Sequence, residues 1–325
     1  YFLCLFSYSS INDLYLIKLL SIFFDVLLAY GAMMLLGKVR ESIPARIACF
    51  FTVLFLPTVI LNGSLWAQCD SIYVALAVLA IYLALDDRPI LSVLFFTLSF
   101  GFKLQAVFLL PVMAVLWLKG KYKLWHFLLF PVFYVLLVLP AVALGKPFLE
   151  TLTLYASQTG SIGDGLNYNS PSVYAFFQYD PSVTDLAAAS RVGIIAAFVF
   201  MCVILAVCAI KRRSITNGVI VAVSVLFAVG IPFLLPHMHD RYFFAADVLT
   251  VVMAYAYVKY AAAAPLTQFA SLLGYHAYLK MRYLLLMDHG ARALIVALML
   301  GIVLFAQLLS ANGDTGAAGM HTDAE

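Results

Sequence analysis

Long apolar stretches alternate with short polar turns along the chain, in a pattern typical of helices that cross a membrane. A spanning helix needs about 20 mostly apolar residues, with a range of ~17–25. Most of the stretches approach or exceed that length, so we predict about ten or eleven spans. The predicted spans come from residues 14–36, 44–61, 71–85, 90–118, 124–144, 192–210, 215–235, 243–258, 261–275 and 291–309.

The stretch 90–118 is too long for one span, and Gly101, Phe102 and Lys103 interrupt it. We therefore divide it into two short, broken segments, with Lys103 and Gln105 near the turn between them. Composition agrees with this picture, because the chain is 65% hydrophobic and only 11% charged, whereas soluble domains are about 45–50% apolar and about 25% charged. The predicted fold class is all-α, a polytopic transmembrane helical bundle.

Basic residues in short loops predict the orientation of the bundle. Eleven of the 19 Lys and Arg residues fall on one side if the spans alternate as predicted, and we assign that side to the cytoplasm. Residues 1–310 then form one transmembrane domain, and residues 311–325 a disordered cytoplasmic tail. The turn 62–70, the loop 145–191 and the stretch 236–242 reach the extracytoplasmic face. The eleven basic residues are Lys38, Arg40, Arg46, Arg88, Lys119, Lys121, Lys123, Lys211, Arg212, Arg213 and Lys259.

The turn Trp66-Ala67-Gln68-Cys69-Asp70 joins two predicted spans and holds an aromatic ring, an amide and an acid at the membrane boundary. Asp70 has the chemistry of a general base for a sugar hydroxyl, and Trp66 that of a stacking platform for a sugar ring. The alternative is structural: an interfacial tryptophan and an aspartate that caps the next helix. Residue types alone do not separate the two.

Lys103 lies within a predicted transmembrane element, where a cation pairs with a phosphate as a point charge. The alternative is a lysine at a helix end whose amine reaches the interface. The loop that contains Asn167 is rich in Gly, Asn, Ser and Pro, which favours turns and suits sugar recognition equally well.

The stretch Pro236-His237-Met238-His239-Asp240-Arg241-Tyr242 has the highest density of polar chemistry in the chain. Unpaired polar groups in lipid cost several kcal/mol each, so a cluster at the end of a span indicates a functional site. Donors from Arg241 and His239, oriented by Asp240, would bind a phosphate. The alternative is a charge-neutralised helix cap. The two histidines have no cysteine partner, so we expect no zinc site.

Three motifs together resemble a known family. They are Leu-Trp-Ala-Gln-Cys-Asp-Ser at residues 65–71, Phe-Lys-Leu-Gln-Ala-Val-Phe-Leu-Leu-Pro at 102–111 and His-Met-His-Asp-Arg-Tyr-Phe-Phe at 237–244. In this order they are similar to bacterial integral membrane glycosyltransferases of the GT-C superfamily, in particular the group similar to the GPI-anchor second mannosyltransferase. They are more distantly similar to the dolichyl-phosphate-glucose glucosyltransferases.

The resemblance implies a hexosyltransferase that moves mannose or another hexose from a polyprenyl-phosphate-sugar donor to a cell-envelope glycan or lipid acceptor on the extracytoplasmic face. It implies no cofactor and no obligatory metal, and it gives no reason to expect nucleic acid. The family usually has its main catalytic carboxylate in a first outer loop, after a first span, which would precede Tyr1 in this chain. Asp70 and Asp240 are the remaining catalytic candidates. The implied donor-phosphate and substrate-binding residues are Lys103, Gln105, His237, His239, Arg241, Tyr242, Trp66, Gln68 and Asn167.

Two other classes of protein stay open. A multi-pass transporter or flippase for a lipid-linked or sugar substrate would usually show inverted repeats and charges in both halves of the bundle, and the sequence shows no such repeat. A structural subunit of a cell-envelope complex is the third reading.

Overall fold

The protein is an all-α helical bundle, and it is described here from a computed structural model that covers residues 11–159, 165–177 and 185–318. The predicted loop residues 160–164 and 178–184 lie outside the described residues, as does Cys4. The helices are α1 (Asp13–Gly37), α2 (Ile43–Leu54), α3 (Pro57–Ile60), α4 (Asp70–Leu85), α5 (Pro89–Phe102), α6 (Val112–Leu118), α7 (His126–Ala143), α8 (Phe148–Leu152), α9 (Leu154–Thr159), α10 (Leu186–Ile210), α11 (Asn217–Leu234), α12 (Phe244–Ala256), α13 (Ala263–Lys280) and α14 (Met287–Ala318).

Helix starts in this bundle follow ordinary capping chemistry. The side chains of Asn12, Asp185 and Thr216 each accept a hydrogen bond from a backbone N–H in the first turn of α1, α10 and α11. Such caps satisfy donors that have no partner within the helix. Proline stands at the beginning of α2, α3 and α5, where its missing N–H costs nothing.

Five described helices are long and apolar enough to cross a membrane, which makes the chain a multi-pass membrane protein. They are α1, α7, α10, α11 and the first 25 residues of α14. Helix α2 and the following segment Pro57–Leu65 pass the same test together, but they are bent by 42°. Helices α4, α5 and α12 and the segment Leu104–Leu118 are apolar but shorter. The predicted spans therefore correspond to helices, while the total of ten or eleven crossings stays a prediction.

The centre of the bundle is formed by α4 and α11, which are buried along nearly their whole length. Both are apolar all round, which is the pattern of a helix enclosed by other helices. Helices α7 and α10 are mostly exposed and lie at the perimeter. Helix α14 continues to Ala318, past the start of the predicted disordered tail at 311, and residues 319–325 lie outside the described part.

One end of the bundle, which we call the basic end, gathers the basic loops as predicted. Lys38 Nζ pairs with Asp86 at 2.5 Å, and the Asn217 side chain donates to the Lys38 carbonyl at 2.8 Å. Lys119 Nζ donates to the Ile215 carbonyl, also at 2.8 Å. These contacts tie the end of α1, the end of α4, the end of α6 and the start of α11 together.

The opposite end of the bundle, the site end, contains a short parallel β-pairing. Strand β1 (Asn167–Tyr168) pairs with β2 (Met238–His239), with Asn167 opposite Met238 and Tyr168 opposite His239. The pairing attaches the long loop before α10 to the turn between α11 and α12. It thereby positions the polar stretch around Arg241.

Candidate functional site

The turn before α4 is folded tightly by two residues with left-handed backbone. Ala67 has φ 61° and Cys69 has φ 57°, a region that costs an L-residue about 1–2 kcal/mol. This backbone directs the Gln68 carbonyl toward Lys103, whose Nζ lies 3.4 Å away. The Gln68 contact that the structure shows is therefore a main-chain one. The turn also places Asp70 as the first residue of α4, where a carboxylate is favoured by the helix dipole.

Asp70 is buried and is held by a reciprocal pair of hydrogen bonds with Asn62. The Asn62 amide donates to the Asp70 carboxylate at 2.6 Å, and the Asp70 backbone N–H donates to the Asn62 side-chain oxygen at 3.0 Å. Asn62 also approaches the Tyr275 hydroxyl at 3.2 Å. The predicted capping role is thus filled by Asn62, which caps α4 from the preceding turn. These hydrogen bonds from Asn62 fix the position of the Asp70 carboxylate.

Lys103 stands where the sequence predicts a break. Helix α5 ends at Phe102, Lys103 has extended backbone (φ −154°, ψ 130°), and a 3₁₀ turn follows at Leu104–Phe108. The extended residue turns its amine to the Asp70 carboxylate, with which it forms an ion pair.

Gly101, near the end of α5, packs closely against Leu137. A Cβ at residue 101 would clash with the Leu137 side chain.

Arg241 brings a second cation to the same carboxylate from the turn before α12. Its Nε lies 3.8 Å from Asp70 Oδ2, and its Nη1 lies 3.6 Å from Asp240 Oδ1. We call Asp70, Lys103, Asp240 and Arg241 the polar cluster. The side chains of Lys103 and Arg241 are 21% and 20% exposed, whereas both carboxylates are 2% exposed. The cations therefore form the outer layer of the cluster, and the acids the inner one.

Aromatic rings surround the guanidinium of Arg241. Its Cζ lies 5.5 Å from the Trp66 ring centroid and 5.9 Å from that of Tyr242, within the range of a cation–π interaction. Trp66 in turn contacts Tyr275 and Tyr278, with centroid separations of 5.5 and 4.7 Å. These neighbours fix the position of the Trp66 ring beside the polar cluster, and its role as a stacking platform for a sugar stays a prediction.

His237 has a structural position. Its backbone is left-handed, with φ 61°, its Nδ1 lies 2.7 Å from the Gly165 carbonyl, and its Nε2 lies 3.1 Å from Ser190 Oγ. Both ring nitrogens thus contact the protein, and the predicted phosphate contact stays a prediction. The residue ties the turn before β2 to the long loop and to α10.

His239 and Asp240 differ in environment although they are adjacent. His239 stacks on Tyr168 with centroids 4.8 Å apart and planes 14° apart. Burial, with a smaller contribution from the charge of Arg241, lowers the pKa of His239 and favours the neutral ring. Burial raises the pKa of Asp240 to about 6, and the neighbouring Arg241 opposes this. The Asp240 oxygen that faces Arg241 Nη1 is buried and accepts no hydrogen bond from the described residues.

The remaining predicted residues lie at the edges of the cluster. Gln105 lies beside the Tyr242 hydroxyl, and its buried side-chain oxygen has no hydrogen-bond partner in the part of the chain that the structure describes. Asn167 closes its own turn: its amide donates to the Ser170 carbonyl at 2.9 Å, and its oxygen accepts from the Ser170 N–H at 2.8 Å. It shapes the loop, and the contacts described for it are structural.

The predictions from sequence missed several residues of this site. Asn62, Tyr275, Tyr278 and Tyr168 contact its members directly. The sequence does place Asn62 in the same predicted turn as Asp70, eight residues before it. The three tyrosines lie far along the chain from the motifs that they contact.

Among the described residues no group of three or more His, Cys, Asp or Glu side chains could hold a metal ion. Two cavities lie away from the polar cluster. One of about 380 Å³ is lined by residues 209–214 near the basic end, and one of about 350 Å³ lies between the segment after Lys103 and α7.

The comparisons with known proteins identify no relative. No protein-family model matches the chain, and no curated protein matches it. The GT-C resemblance thus depends on the three motifs. The geometry of the polar cluster is an observation independent of them.

Proposed function

We propose that the chain is a GT-C-type membrane glycosyltransferase, which transfers mannose or another hexose from a polyprenyl-phosphate-sugar donor to a cell-envelope glycan or lipid acceptor. The observation that carries the proposal is the convergence of Lys103 and Arg241 on Asp70. Two cations from separate elements share one buried acid, and both side chains are partly exposed. The guanidinium of Arg241 also lies beside Trp66. A phosphate that departs with its lipid needs such an arrangement of fixed positive charge.

The proposed roles follow from the depth of each group. Lys103 and Arg241 neutralise the phosphate as the bond between the anomeric carbon and the phosphate oxygen breaks, and Trp66 lines the sugar position. Asp70 is paired with both cations and with Asn62, so its role is to position them. The acceptor hydroxyl loses a proton as it attacks. Of the two predicted catalytic acids, Asp240 pairs with Arg241 through one oxygen, and its pKa of about 6 suits a proton acceptor near neutral pH.

In the proposed orientation the site end faces the extracytoplasmic side and the basic end faces the cytoplasm. The support is the separation of charge in the fold, since the basic loops gather at one end of the bundle and the polar cluster at the other. A transporter is the alternative function. It would require the substrate groups near the middle of the bilayer, whereas the polar cluster lies at helix ends.

The deciding experiment measures sugar transfer in membranes that contain the protein, with a radiolabelled polyprenyl-phosphate hexose as donor. Arg241→Ala and Lys103→Ala should each lower transfer roughly a hundredfold or more, the effect of removing one stabilising donor from a transition state. The matched control is Arg292→Ala, an exposed arginine that pairs with Asp288. Wild-type turnover in Arg241→Ala would refute the proposal, and uptake of intact donor without transfer would support a transporter.

A further inference from the structure

The segment that joins α13 to α14 exposes an unusual amount of apolar surface for a loop. Met281 is 86% exposed and Leu286 is 69% exposed. We call residues 278–286 the 278–286 loop. Its first three residues are the end of α13, and residues 281–286 are not helical. Its exposed large apolar side chains are Tyr278, Leu279, Met281, Tyr283, Leu284, Leu285 and Leu286.

The charges in this loop are all positive. Lys280 and Arg282 are exposed and alternate with the apolar side chains, and the loop contains no acid. The next acid along the chain, Asp288, is paired with Arg292 at 2.8 Å. Apolar side chains mixed with exposed cations are the composition of segments that lie in the headgroup region of a bilayer.

The 278–286 loop is attached to the site. The Tyr278 ring lies 4.7 Å from the ring of Trp66, and the Tyr283 hydroxyl donates to the Asn169 side chain at 2.6 Å. Trp66 itself lies against the guanidinium of Arg241. The loop is therefore level with the outer layer of the polar cluster and one aromatic ring away from it.

Two features exclude a deeper position for the loop. Non-helical backbone exposed to the hydrocarbon core would leave its N–H and C=O groups without partners, at a cost of several kcal/mol each. The two cations would also be expensive there. A partner protein is a weaker explanation, because the apolar surface continues onto α14, where Val296, Met299 and Val303 are exposed on a helix long enough to span. A bilayer around α14 would therefore also lie against the loop.

We propose that the 278–286 loop inserts into the headgroup region of the leaflet at the site end, with Lys280 and Arg282 at the phosphates of anionic lipids. The polar cluster then opens at the lipid surface instead of into bulk water. If the function proposed above is accepted, a lipid-linked substrate reaches Lys103 and Arg241 from within that leaflet.

The test compares two single variants, one with a tryptophan added in the loop and one with a tryptophan added at the basic end. Leu285→Trp replaces an exposed side chain, and Glu41→Trp is the control, in the exposed polar turn between α1 and α2. Each protein is reconstituted in vesicles of phosphatidylcholine and phosphatidylglycerol, and the emission of the wild-type protein is subtracted. Bromine on the upper acyl chain should quench the added emission of Leu285→Trp and leave that of Glu41→Trp, whereas aqueous iodide should do the reverse.

Quenching of Leu285→Trp by iodide but not by brominated lipid would overturn the insertion, and so would no quenching by either reagent, the result expected of a surface covered by protein. This readout requires no enzyme activity. If brominated lipid quenches Leu285→Trp but Arg241→Ala retains full sugar transfer, the insertion of the loop is supported and the proposed function is refuted. If brominated lipid does not quench Leu285→Trp and Arg241→Ala loses transfer, the proposed function is supported and the insertion is refuted.

Discussion

Lys103 and Asp70 form an ion pair between the break after α5 and the first residue of α4. The two residues lie at the ends of neighbouring helices that pack along their lengths, so the pair closes the site end of that helix pair. Arg241 approaches the same carboxylate from the turn before α12. One acid therefore fixes two cations that come from distant parts of the chain.

Removal of that acid should destabilise the protein as well as disperse the cations. Asp70→Ala leaves Lys103 and Arg241 close together without a counter-charge. The expected cost lies between the ~1 kcal/mol of an exposed pair and the ~3–5 kcal/mol of breaking a buried one. The measurement is the thermal unfolding midpoint in detergent. The control is Asp86→Ala, whose carboxylate pairs with Lys38 at the more exposed basic end; an equal loss in both variants would contradict the buried role of Asp70.

Much of this arrangement can be read from local sequence. The break at Lys103 follows from a run too long for one span that contains a glycine and a charge, and helix α5 does end at Phe102. Short apolar helices such as α4 and α12 follow from their flanking polar residues in the same way. These features depend on neighbours within one turn of the chain, which is why the residue pattern predicts them.

The contacts of the site that sequence patterns did not predict are made between residues far apart in the chain. His237 was predicted to bind substrate, but its ring nitrogens contact Gly165 and Ser190, through a β-pairing that has no local signal in strands of two residues. Asn167 was predicted for the same role, and the contacts described for it close its own turn. Tyr275 reaches the cluster only because α13 packs against the turn before α4. Such contacts depend on the packing of whole helices.

Close approach of α13 to the site requires a glycine. A Cβ on Gly274 would lie 2.9 Å from the carbonyl oxygens of Asn169 and Asp240, and backbone atoms yield little. Gly274→Ala should therefore displace the turn that carries Arg241 and cost about 1–3 kcal/mol, as overpacking does. The control is Gly301→Ala, where the nearest atom is the end of a Leu226 side chain at 3.1 Å. Thermal midpoints of the two variants should differ, and equal midpoints would contradict the contact.

Left-handed backbone at Cys69 limits the residues that this position accepts. A β-branched side chain at φ 57° is strongly disfavoured, whereas Asn and Gly accept such angles. Cys69→Val should destabilise the protein by at least ~1 kcal/mol, and Cys69→Asn should be tolerated. Cys202→Val, in the regular helix α10, is the matched control. A Cys69→Val protein as stable as the Cys202→Val protein would show that the turn has another conformation.

Orientation in the membrane can be tested with two exposed lysines. Lys211 follows α10 near the basic end, and Lys280 precedes α14 at the site end. A membrane-impermeant amine reagent added to intact cells should label Lys280 and spare Lys211, and lysis should expose both. Labelling of Lys211 alone in intact cells would invert the proposed orientation.

The protonation of Asp240 should make the stability of the protein depend on pH. Burial raises its folded-state pKa from 3.8 to about 6, so between those values the folded protein binds more protons than the unfolded chain. The free energy of unfolding should accordingly fall as the pH rises through this window, by on the order of 3 kcal/mol in total. His239 acts in the opposite sense, because its lowered pKa costs stability as the pH falls below 6.5.

Comparison with Asp240→Asn separates the two effects, since the variant retains His239 and cannot ionise at residue 240. Near pH 4 the wild-type carboxyl is largely protonated in the folded state, so the two proteins should unfold at similar temperatures. Toward pH 7 the ionised carboxylate is unfavourable in its buried position, and the variant should become the more stable of the two. Unfolding midpoints measured at several pH values provide the test. A wild-type protein that gains stability over Asp240→Asn as the pH rises would mean that Arg241 outweighs burial, and would remove Asp240 from consideration as the proton acceptor.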